Sequence, residues 1–438
     1  MSSIIKNYTK AFAQDRALSQ QAKQLLPDGI ITDTHYMHPF PVYVEAAQGA
    51  KKWTVSGHEL IDFRAGNGAL LFGHNPPEMT KAVTIQITQG SHLSACHPYA
   101  HQWAKAVIEL VPSAEQVRFT ASGTEANLLA LQLARAYTGK QRFIRFMGHY
   151  HGWENSLIAG YNLAHAPTIS NALICPPNDL NAIIRLFDTY ADIACVILEP
   201  TGAESGVIPC HGAFLASLRE LTHARNALLI FDEIVTGFRV SLGGAQEYYN
   251  ILPDLTTLGK ILVGGLPGGA VAGKKSILDY LASNSDPDKK MPHLGTFSGN
   301  PLSAVAGTAN LKRLKQTKPY NSINHSAQIL REGLNRVIDK HKLDWVVYGE
   351  FSHLKLLIGH KEKWIRTSDF DPYRWDYTVL LQRGNKKLYN YLRLGMLLNG
   401  VDIAMSSVIT TEHTPDHLDA TIAAFERTIG FMQKDNLI

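Results

Sequence analysis

Short apolar runs alternate with amphipathic segments from about residue 60 to residue 300. The apolar runs have the length of buried strands, and the segments between them repeat apolar residues every three to four positions, as helices do. The runs include VRFT, FIRFMG, ALICPP, CVILEP and LLIFDE, and the segments include SGTEANLLALQLARAYTG and FLASLRELTHARN. Strand and helix in alternation predict crossover connections, and therefore an α/β fold built on a mostly parallel sheet flanked by helices.

The pattern changes on both sides of this central region. Residues 1–58 begin with an amphipathic helix and continue into PFPVYVEAAQGAKKWTVSGHELIDF, whose alternation and Gly57 predict a hairpin. After about residue 305, longer helical segments such as NHSAQILREGLNRVIDKH predominate. A chain of 438 residues exceeds the usual size of one hydrophobic core. We therefore expect a large domain over 59–305 and a smaller α+β domain over 306–438, against which the segment 1–58 packs.

Composition narrows the class of protein. Charged residues make up 18% of the chain and apolar residues 45%, which is typical of a globular protein with a substantial core. The net charge of +4 is too small to indicate a nucleic-acid or membrane partner, because those partners require concentrated basic patches. The four cysteines lack C-x-x-C spacing, and the N-terminus lacks a signal peptide's apolar core. We expect small-molecule chemistry without a metal, in the reducing cytoplasm, and no membrane span.

The strongest chemical signal is an acidic residue followed 28 positions later by a lysine. Asp232 follows the apolar run LLIF, at the carboxyl end of a predicted strand, where open α/β sheets bind ligands. Lys260 lies in TTLGKILVGGLPGGAVAG, a glycine-rich loop whose apolar residues would lower the pKa of its amine and help it form a Schiff base. A carboxylate for a protonated ring nitrogen and a lysine for a carbonyl carbon are what a pyridoxal 5'-phosphate enzyme requires.

Two other lysines compete with Lys260. The stretch GGAVAGKK places Lys274 at the end of a near match to a phosphate-binding P-loop. However, Lys275 occupies the position where that loop requires a serine or threonine for magnesium, which disfavours a nucleotide site. An ordinary loop lysine is the alternative interpretation of Lys260, and Asp232 argues against it.

Further polar and aromatic groups are expected at the same edge of the sheet. The turn Ser122-Gly123-Thr124 opens a predicted helix, and its hydroxyls and free N–H groups form an anion site suited to a phosphate. Alternatively, Ser122 or Thr124 only caps that helix. Tyr150, in HYHGW, can stack on a planar cofactor, although such aromatic clusters also serve local packing. Glu199 ends another buried run and adds a polar group.

Taken together and in this order, these segments resemble a known family. The chain is similar to class III aminotransferases of pyridoxal-phosphate fold type I, most closely to the group around glutamate-1-semialdehyde aminomutase and the β-amino-acid aminotransferases. The resemblance covers nearly the whole chain and is highly specific. Its motifs are SGTEAN at 122–127, YHG at 150–152, EP at 199–200, DEIVTGFR at 232–239, DLTTLGK at 254–260 and GTFSGNPLS at 295–303.

The resemblance implies a cofactor site and a dimer. Lys260 would carry pyridoxal 5'-phosphate as a Schiff base, and Asp232 would keep the pyridine nitrogen protonated. In the family, the threonine of GTxSGNP reaches the phosphate in the neighbouring subunit, so Thr296 implies a homodimer. The other implied cofactor contacts are the phosphate contacts of Ser122, Gly123 and Thr124, the ring contacts of Tyr150 and, on the opposite face, Ile234, and a contact of Glu199.

The sequence departs from these relatives where the substrate binds. Aminomutases clamp the substrate carboxylate with an arginine of the N-terminal segment, but LPDGIITDTHYMHPFPVYV has none and offers His35 instead. No arginine lies between Arg393 and Arg427 to bind 2-oxoglutarate, and the aminomutase's C-terminal glutamate is absent. Glu204 stands where ornithine-type enzymes pair a glutamate with that missing arginine. Facing the pocket, Glu204 would favour a cationic substrate, whereas the alternative is that it faces solvent or Arg239.

These observations lead to three functional hypotheses. The first is an aminotransferase that moves an amino group between an amine- or amino-acid-type donor and an oxo acceptor. Without the usual carboxylate clamp, its substrate would be an amine, an amino sugar or a carrier-bound acyl group. The second is an aminomutase or isomerase, which needs no second substrate. The third is a cofactor-binding partner protein without activity, against which the intact Lys260 and Asp232 argue.

Overall fold

The computed structural model describes residues 2–158, 171–283, 290–359 and 366–438. Residue contacts divide the chain into two compact units. The first unit comprises Met1–Asn67, Leu71–Pro76 and Asn321–Ile438, and the second comprises Gly68–Leu70 and Pro77–Tyr320. Within the described residues, no helix has the length and apolar character needed to cross a membrane.

Strands and helices are numbered here along the described chain. The strands are β1 (Val44–Gln48), β2 (Lys51–Thr54), β3 (Glu59–Asp62), β4 (Gln116–Thr120), β5 (Arg142–Phe146), β6 (Ala172–Cys175), β7 (Ile193–Leu198), β8 (Ile208–Pro209), β9 (Leu228–Glu233), β10 (Leu255–Gly259), β11 (Gly269–Gly273), β12 (Trp345–Tyr348), β13 (His353–Ile358), β14 (Val401–Asp402) and β15 (Ser406–Val408). The helices are α1 (Ser3–Ala11), α2 (Ala13–Ala22), α3 (Ala65–Gly68), α4 (Pro77–Gln89), α5 (Pro98–Leu110), α6 (Gly123–Thr138), α7 (Leu180–Thr189), α8 (Ala203–Gly206), α9 (Gly212–Ala224), α10 (Ala245–Tyr249), α11 (Lys275–Leu278), α12 (Pro301–Thr317), α13 (Tyr320–Lys340), α14 (Tyr377–Gln382), α15 (Lys386–Leu398) and α16 (Pro415–Lys434).

The second unit is built on a seven-stranded sheet in the order β4-β11-β10-β9-β7-β5-β6. The pairs from β10 to β6 are parallel, and β11 runs antiparallel to both of its neighbours. The central strands β7 and β9 are buried along their whole length, as expected for strands covered on both faces. The predicted α/β fold with a mostly parallel sheet is confirmed.

Helices cover this sheet on both faces, with a separate apolar cluster under each face. One cluster contains buried residues of α6, such as Leu129 and Leu133, together with Ile197 and Ile230 of the sheet. The other contains residues of α7 and α9 packed against Val196 and Phe231. Because the side chains of β7 and β9 alternate between the two clusters, the continuous apolar runs of these strands are explained.

One strand occupies a segment that the sequence predicted to be a loop. Gly269–Gly273 forms β11, which pairs in register with β10 on one side and β4 on the other. A Cβ atom on Gly269 would collide with the carbonyl of Ser122, and one on Gly273 would collide with the carbonyl of Asp254. The glycines are therefore required for close backbone approach within a sheet.

The first unit contains two small sheets, β1-β2-β3-β14 and β12-β13-β15. The hairpin predicted around Gly57 is confirmed, because β2 and β3 pair antiparallel across it. A boundary at residue 58 would cut this hairpin, and the first unit accordingly continues to Asn67. Conversely, α12 packs on α4 and α5 and belongs to the second unit, which extends to Tyr320 instead of ending at 305. The strand pairing of β3 and the helix packing of α12 therefore explain why the unit boundaries differ from the predicted ones.

Candidate active site

The carboxylate of Asp232 is held at the carboxyl end of β9, where it is only 3% exposed. Its Oδ2 atom accepts hydrogen bonds from Nδ1 of His151 at 2.7 Å and from Nδ2 of Asn127 at 2.8 Å. Its Oδ1 atom accepts a bond from the backbone N–H of Ile234 at 3.1 Å. A buried carboxylate with these partners is fixed in orientation.

Asn127 links this carboxylate to the neighbouring strand. Its amide also donates to the carbonyl of His151 at 2.8 Å, and its Oδ1 accepts from the hydroxyl of Thr257 at 2.7 Å. Thr257 lies directly opposite Asp232 in the pairing of β10 with β9. The network therefore joins α6, β9, β10 and the 149–153 turn at one point. Asn127 lies within the SGTEAN motif but was not among the predicted site residues.

Lys260 directly follows β10, next to the end of β9. Its backbone has a left-handed φ of 47°, which costs a residue other than glycine about 1–3 kcal/mol and is common at functional sites. Burial lowers the pKa of the Lys260 amine below its usual value, against the opposing charges of Asp232 and Glu199. Arg239 adds to the lowering, whereas Glu204 opposes it. An amine shifted in this direction is a better nucleophile at neutral pH.

Glycines and small side chains form a cradle at the start of α6. Ser122 caps the helix, since its hydroxyl accepts from the N–H of Glu125 at 3.2 Å, and its contact with a phosphate stays a prediction. A Cβ atom on Gly123 would lie 2.6 Å from Cδ1 of Ile234. On Gly152, where φ is +125°, a Cβ atom would lie 2.7 Å from Cγ2 of Thr124. The turn is therefore packed tightly beside Ile234, with its helix N-terminus available to an anion.

The carboxylate of Glu199 ties two turns together at the same edge. It accepts the backbone N–H groups of Tyr150 at 2.9 Å, Glu204 at 2.9 Å and Ser205 at 3.0 Å. Burial, and then the nearby charge of Asp232, raise the pKa of Glu199 to about 8. The ring of Tyr150 remains 42% exposed. Glu199 thus positions the residue predicted to stack on the cofactor.

Glu204 lies close enough to Lys260 for its charge to raise the pKa of that amine. Its backbone is left-handed, with a φ of 44°, in the short α8 turn. The structure therefore brings Glu204 near the same centre as Asp232 and Glu199. Arg239 acts on the same amine, so the orientation of Glu204 toward the pocket stays a prediction.

Two further predicted residues are Thr296 and His35. Thr296 is in an exposed loop of the second unit, where its carbonyl accepts from Nε2 of His92 at 2.7 Å. His35 belongs to the first unit, so its role as a substrate contact stays a prediction. The competing lysines are also accounted for, because Lys274 and Lys275 form ion pairs with Asp254 and Asp279.

The carboxylate of Asp232, the amine of Lys260 and the N-terminus of α6 lie at one edge of the sheet. Together with the fold, they define a pyridoxal-phosphate enzyme of fold type I. The sequence profile described as "Aminotransferase class-III" matches residues 32–347. The chain belongs to this family, and pyridoxal 5'-phosphate is its cofactor. The cradle beside Gly123, the enclosed amine of Lys260 and the anchored carboxylate of Asp232 fit the phosphate, aldehyde and ring nitrogen of that cofactor.

Several characterised proteins are similar to the whole chain. The glutamate-1-semialdehyde 2,1-aminomutase of Methanopyrus kandleri is 34% identical, over 96% of this chain and 98% of that protein. The enzyme of the same name from Methanosphaera stadtmanae is 36% identical, over 96% and 99%. Among solved structures, an omega-transaminase from Sphaerobacter thermophilus has 28% identity and a TM-score of 0.85, over 96% of this chain and 98% of that one. A β-phenylalanine aminotransferase from Variovorax paradoxus has 28% identity and a TM-score of 0.84, over 98% and 97%.

Proposed function

We propose that this protein is an aminotransferase that moves an amino group from an amine- or amino-acid-type donor to an oxo acceptor. The observation that carries the proposal is that Lys260 and Asp232 lie at the ends of neighbouring strands. The two residues stand at the ends of adjacent parallel strands, one an enclosed amine with a lowered pKa and the other an anchored carboxylate. A protein that only binds the cofactor has no need for a nucleophile tuned in this way.

Each residue has a distinct part in this proposal. Lys260 would hold the aldehyde of the cofactor and, once displaced by the substrate amine, move a proton between carbon atoms. Asp232 would keep the ring nitrogen protonated, and the bound cofactor supplies the electron-withdrawing ring that stabilises charge on the substrate carbon. The phosphate would lie on the turn at the start of α6, and the ring would be enclosed by two residues. The phosphate contacts are Ser122, Gly123 and Thr124, and the ring contacts are Tyr150 and Ile234.

The charges around Lys260 affect which amino donors can bind. Glu204 lies within electrostatic reach of the amine, as do Asp232 and Glu199, and Arg239 is the opposing cation. A carboxylate on the reacting carbon would approach this group of acids at a cost in free energy. We therefore infer a donor whose amino carbon does not bear a carboxylate, such as an amine, an amino sugar or a carrier-bound acyl group.

A second candidate is an aminomutase, because relatives 34% and 36% identical over nearly the whole chain are named glutamate-1-semialdehyde 2,1-aminomutase. Such an enzyme would share Lys260 and Asp232 and differ in needing no separate acceptor. Against it stands the N-terminal segment 27–43, which has no arginine. The omega-transaminase and β-phenylalanine aminotransferase, at 28% identity, support transfer.

We further propose that the active form is a homodimer in the cytoplasm. Thr296 would complete the phosphate site of the partner subunit, and its loop is suited to an interface because Leu294 is 94% and Phe297 61% exposed. The buried thiols of Cys175 and Cys195 form no disulfide within the described residues, as in a reducing compartment.

The test is to follow the visible absorbance of the purified holoenzyme during half-reactions. An aminotransferase loses the band of the lysine-bound cofactor when a donor is added and regains it when an oxo acceptor follows. Turnover of a single amino compound without an acceptor would instead establish the aminomutase. Lys260→Ala should abolish both the band and turnover, whereas the matched variant Lys275→Ala, on the surface, should retain both. Turnover by the Lys260→Ala protein would refute the assignment.

A further inference from the structure

A buried network of charges lies in the first unit, on β2, β3 and β14. Nζ of Lys52 is 2.9 Å from Oδ1 of Asp62 and 2.6 Å from Oδ2 of Asp402. The two aspartates are neighbours because they face each other in the parallel pair β3 and β14. Oδ2 of Asp62 also accepts from Nε2 of His74 at 2.8 Å. Burial opposes ionisation, but Lys52 and the other cations hold the pKa of both aspartates below its usual value.

Arg393, on α15, is a buried cation of this network, and Asp402 is its ion-pair partner. Its side chain is only 8% exposed, and its Nε lies 3.6 Å from Oδ1 of Asp402, beyond hydrogen-bond distance. Neither of these two atoms has a hydrogen bond within the described part of the chain. The guanidinium remains charged, since the field of Asp402 raises its pKa even against burial. A buried guanidinium with an unused donor is costly unless a ligand accepts from it.

Arg64 brings a second guanidinium to the same place. It follows β3 by two residues, and its backbone N–H donates to Oδ1 of Asp62 at 3.0 Å. Its Nη2 donates to the carbonyl of Thr34 at 2.9 Å, which fixes the side chain against the N-terminal segment. His35 is the next residue, and burial, followed by the charges of Arg64 and Arg393, lowers its pKa. Arg64 therefore supplies a cation beside a segment that itself contains no arginine.

The charges in this region do not balance. Lys52, Arg64 and Arg393 are cations, and Asp62 and Asp402 are the carboxylates that face them. Lys52 already engages one oxygen of each carboxylate, and His74 takes the second oxygen of Asp62. Nε of Arg393 is thus left without a hydrogen bond within the described residues, and Arg64 lies beside the segment that carries the imidazole of His35. Guanidinium groups favour planar, bidentate recognition of carboxylates.

We propose that Arg64, Arg393 and His35 form a binding site for a carboxylate. In this site Arg64 is partly exposed and Arg393 is buried, and both donate to the carboxylate. His35 contributes a ring nitrogen. The site lies entirely in the first unit and does not depend on Lys260 or on amino transfer. The carboxylate belongs either to the substrate or to a separate small acid, and the experiment separates these two sources.

The first arm measures binding of glutarate to the holoenzyme by isothermal titration calorimetry. Arg64→Ala should weaken binding about tenfold or more, because a charge-assisted pair is lost. The glutarate affinity of Arg64→Lys should lie between those of the wild type and Arg64→Ala, since lysine keeps the charge but not the bidentate geometry. Arg336→Ala removes an exposed arginine of the same unit and should bind like the wild type. Equal binding by wild type and Arg64→Ala, or no binding to the wild type, overturns the proposal.

The second arm compares turnover of 4-aminobutanoate and 1-aminobutane, which share a carbon chain and differ in the carboxylate. A wild-type preference in kcat/KM for the carboxylate-bearing donor that disappears in Arg64→Ala assigns the site to the substrate. A loss of glutarate binding with an unchanged donor preference assigns it to a separate acid. The absorbance of the lysine-bound cofactor is measured in each variant. It tests the proposed catalytic site separately from the proposed carboxylate site.

Discussion

The imidazole of His151 donates a 2.7 Å hydrogen bond from its Nδ1 to Oδ2 of Asp232, and the two residues are only 1% and 3% exposed. Nε2 of His151 has no partner among the described residues. The imidazole is therefore oriented by the carboxylate and by its own backbone contact with Asn127. This pair fixes the position of the acid that the proposed chemistry needs beneath the ring nitrogen.

Replacing Asp232 with asparagine should reduce kcat while leaving the cofactor bound. A hydrogen bond to a charged group contributes about 1.5–3 kcal/mol, which corresponds to roughly a 10- to 150-fold loss of rate. Steady-state kinetics and the cofactor absorbance measure the two effects. Asp254→Asn is the matched control, because Asp254 is equally buried directly before β10 but pairs with Arg219 and Lys274. A normal kcat in Asp232→Asn would contradict the proposed role.

Gly152→Ala should destabilise the protein and weaken cofactor binding. Gly152 has a φ of +125°, and an added Cβ atom would lie 2.7 Å from the side chain of Thr124. Strain of this kind costs about 1–3 kcal/mol, and displacement of Thr124 would disturb the proposed phosphate site. Gly430→Ala is the control, since a Cβ atom there meets nothing within 4 Å and the residue lies inside α16. Thermal unfolding and cofactor titration should show a loss in the first variant and unchanged or higher stability in the second.

Glu199 should make stability depend on pH. The pKa of its carboxyl group is about 8 in the folded protein and 4.5 in the unfolded chain. The folded state therefore keeps a proton that the unfolded state has lost, and the stabilisation present below pH 4.5 disappears as pH rises to about 8. We expect Glu199→Gln to remove this contribution to the free energy of unfolding.

The measurement is urea unfolding of the apoprotein at several pH values between 4.5 and 8. The stability of the wild type relative to that of Glu199→Gln should fall steadily across this interval. Glu220→Gln, on the exposed face of α9, should follow the wild type. Parallel curves for wild type and Glu199→Gln would show that the carboxyl group titrates normally.

Thr296 can be tested by complementation between subunits. The Lys260→Ala protein should be inactive and the Thr296→Ala protein weakly active, but in a mixed dimer the intact Lys260 faces a partner subunit with an intact Thr296. Equal mixing should restore roughly a quarter of the wild-type activity, because half of the symmetric dimers are mixed and each has one complete site. Subunits are exchanged, the cofactor is restored, and the specific activity is compared with the unmixed proteins. No recovery after verified exchange would place Thr296 outside the neighbouring site.

The buried strands β7 and β9 and the residues at their ends were accessible from the sequence. Buried strands produce continuous apolar runs, and parallel strands bring their carboxyl ends to one edge, so the sequence pattern is enough to group Asp232, Glu199 and the turn at Ser122. The glycine-rich segment after Lys260 was assigned to a loop, since glycine has low strand propensity. Its role in β11 depends on neighbouring backbones that approach too closely for a side chain.

Local periodicity and motifs of fixed spacing were enough to predict the fold class, the family and the cofactor. The contacts between groups that are distant along the chain became known only from the folded structure. Asn127 contacts Asp232 across 105 positions, and Arg64 reaches the carbonyl of Thr34 from outside the segment where an arginine was sought. Hydrogen bonds and charge interactions of this kind depend on distance and orientation in space, and separation along the chain does not reveal them.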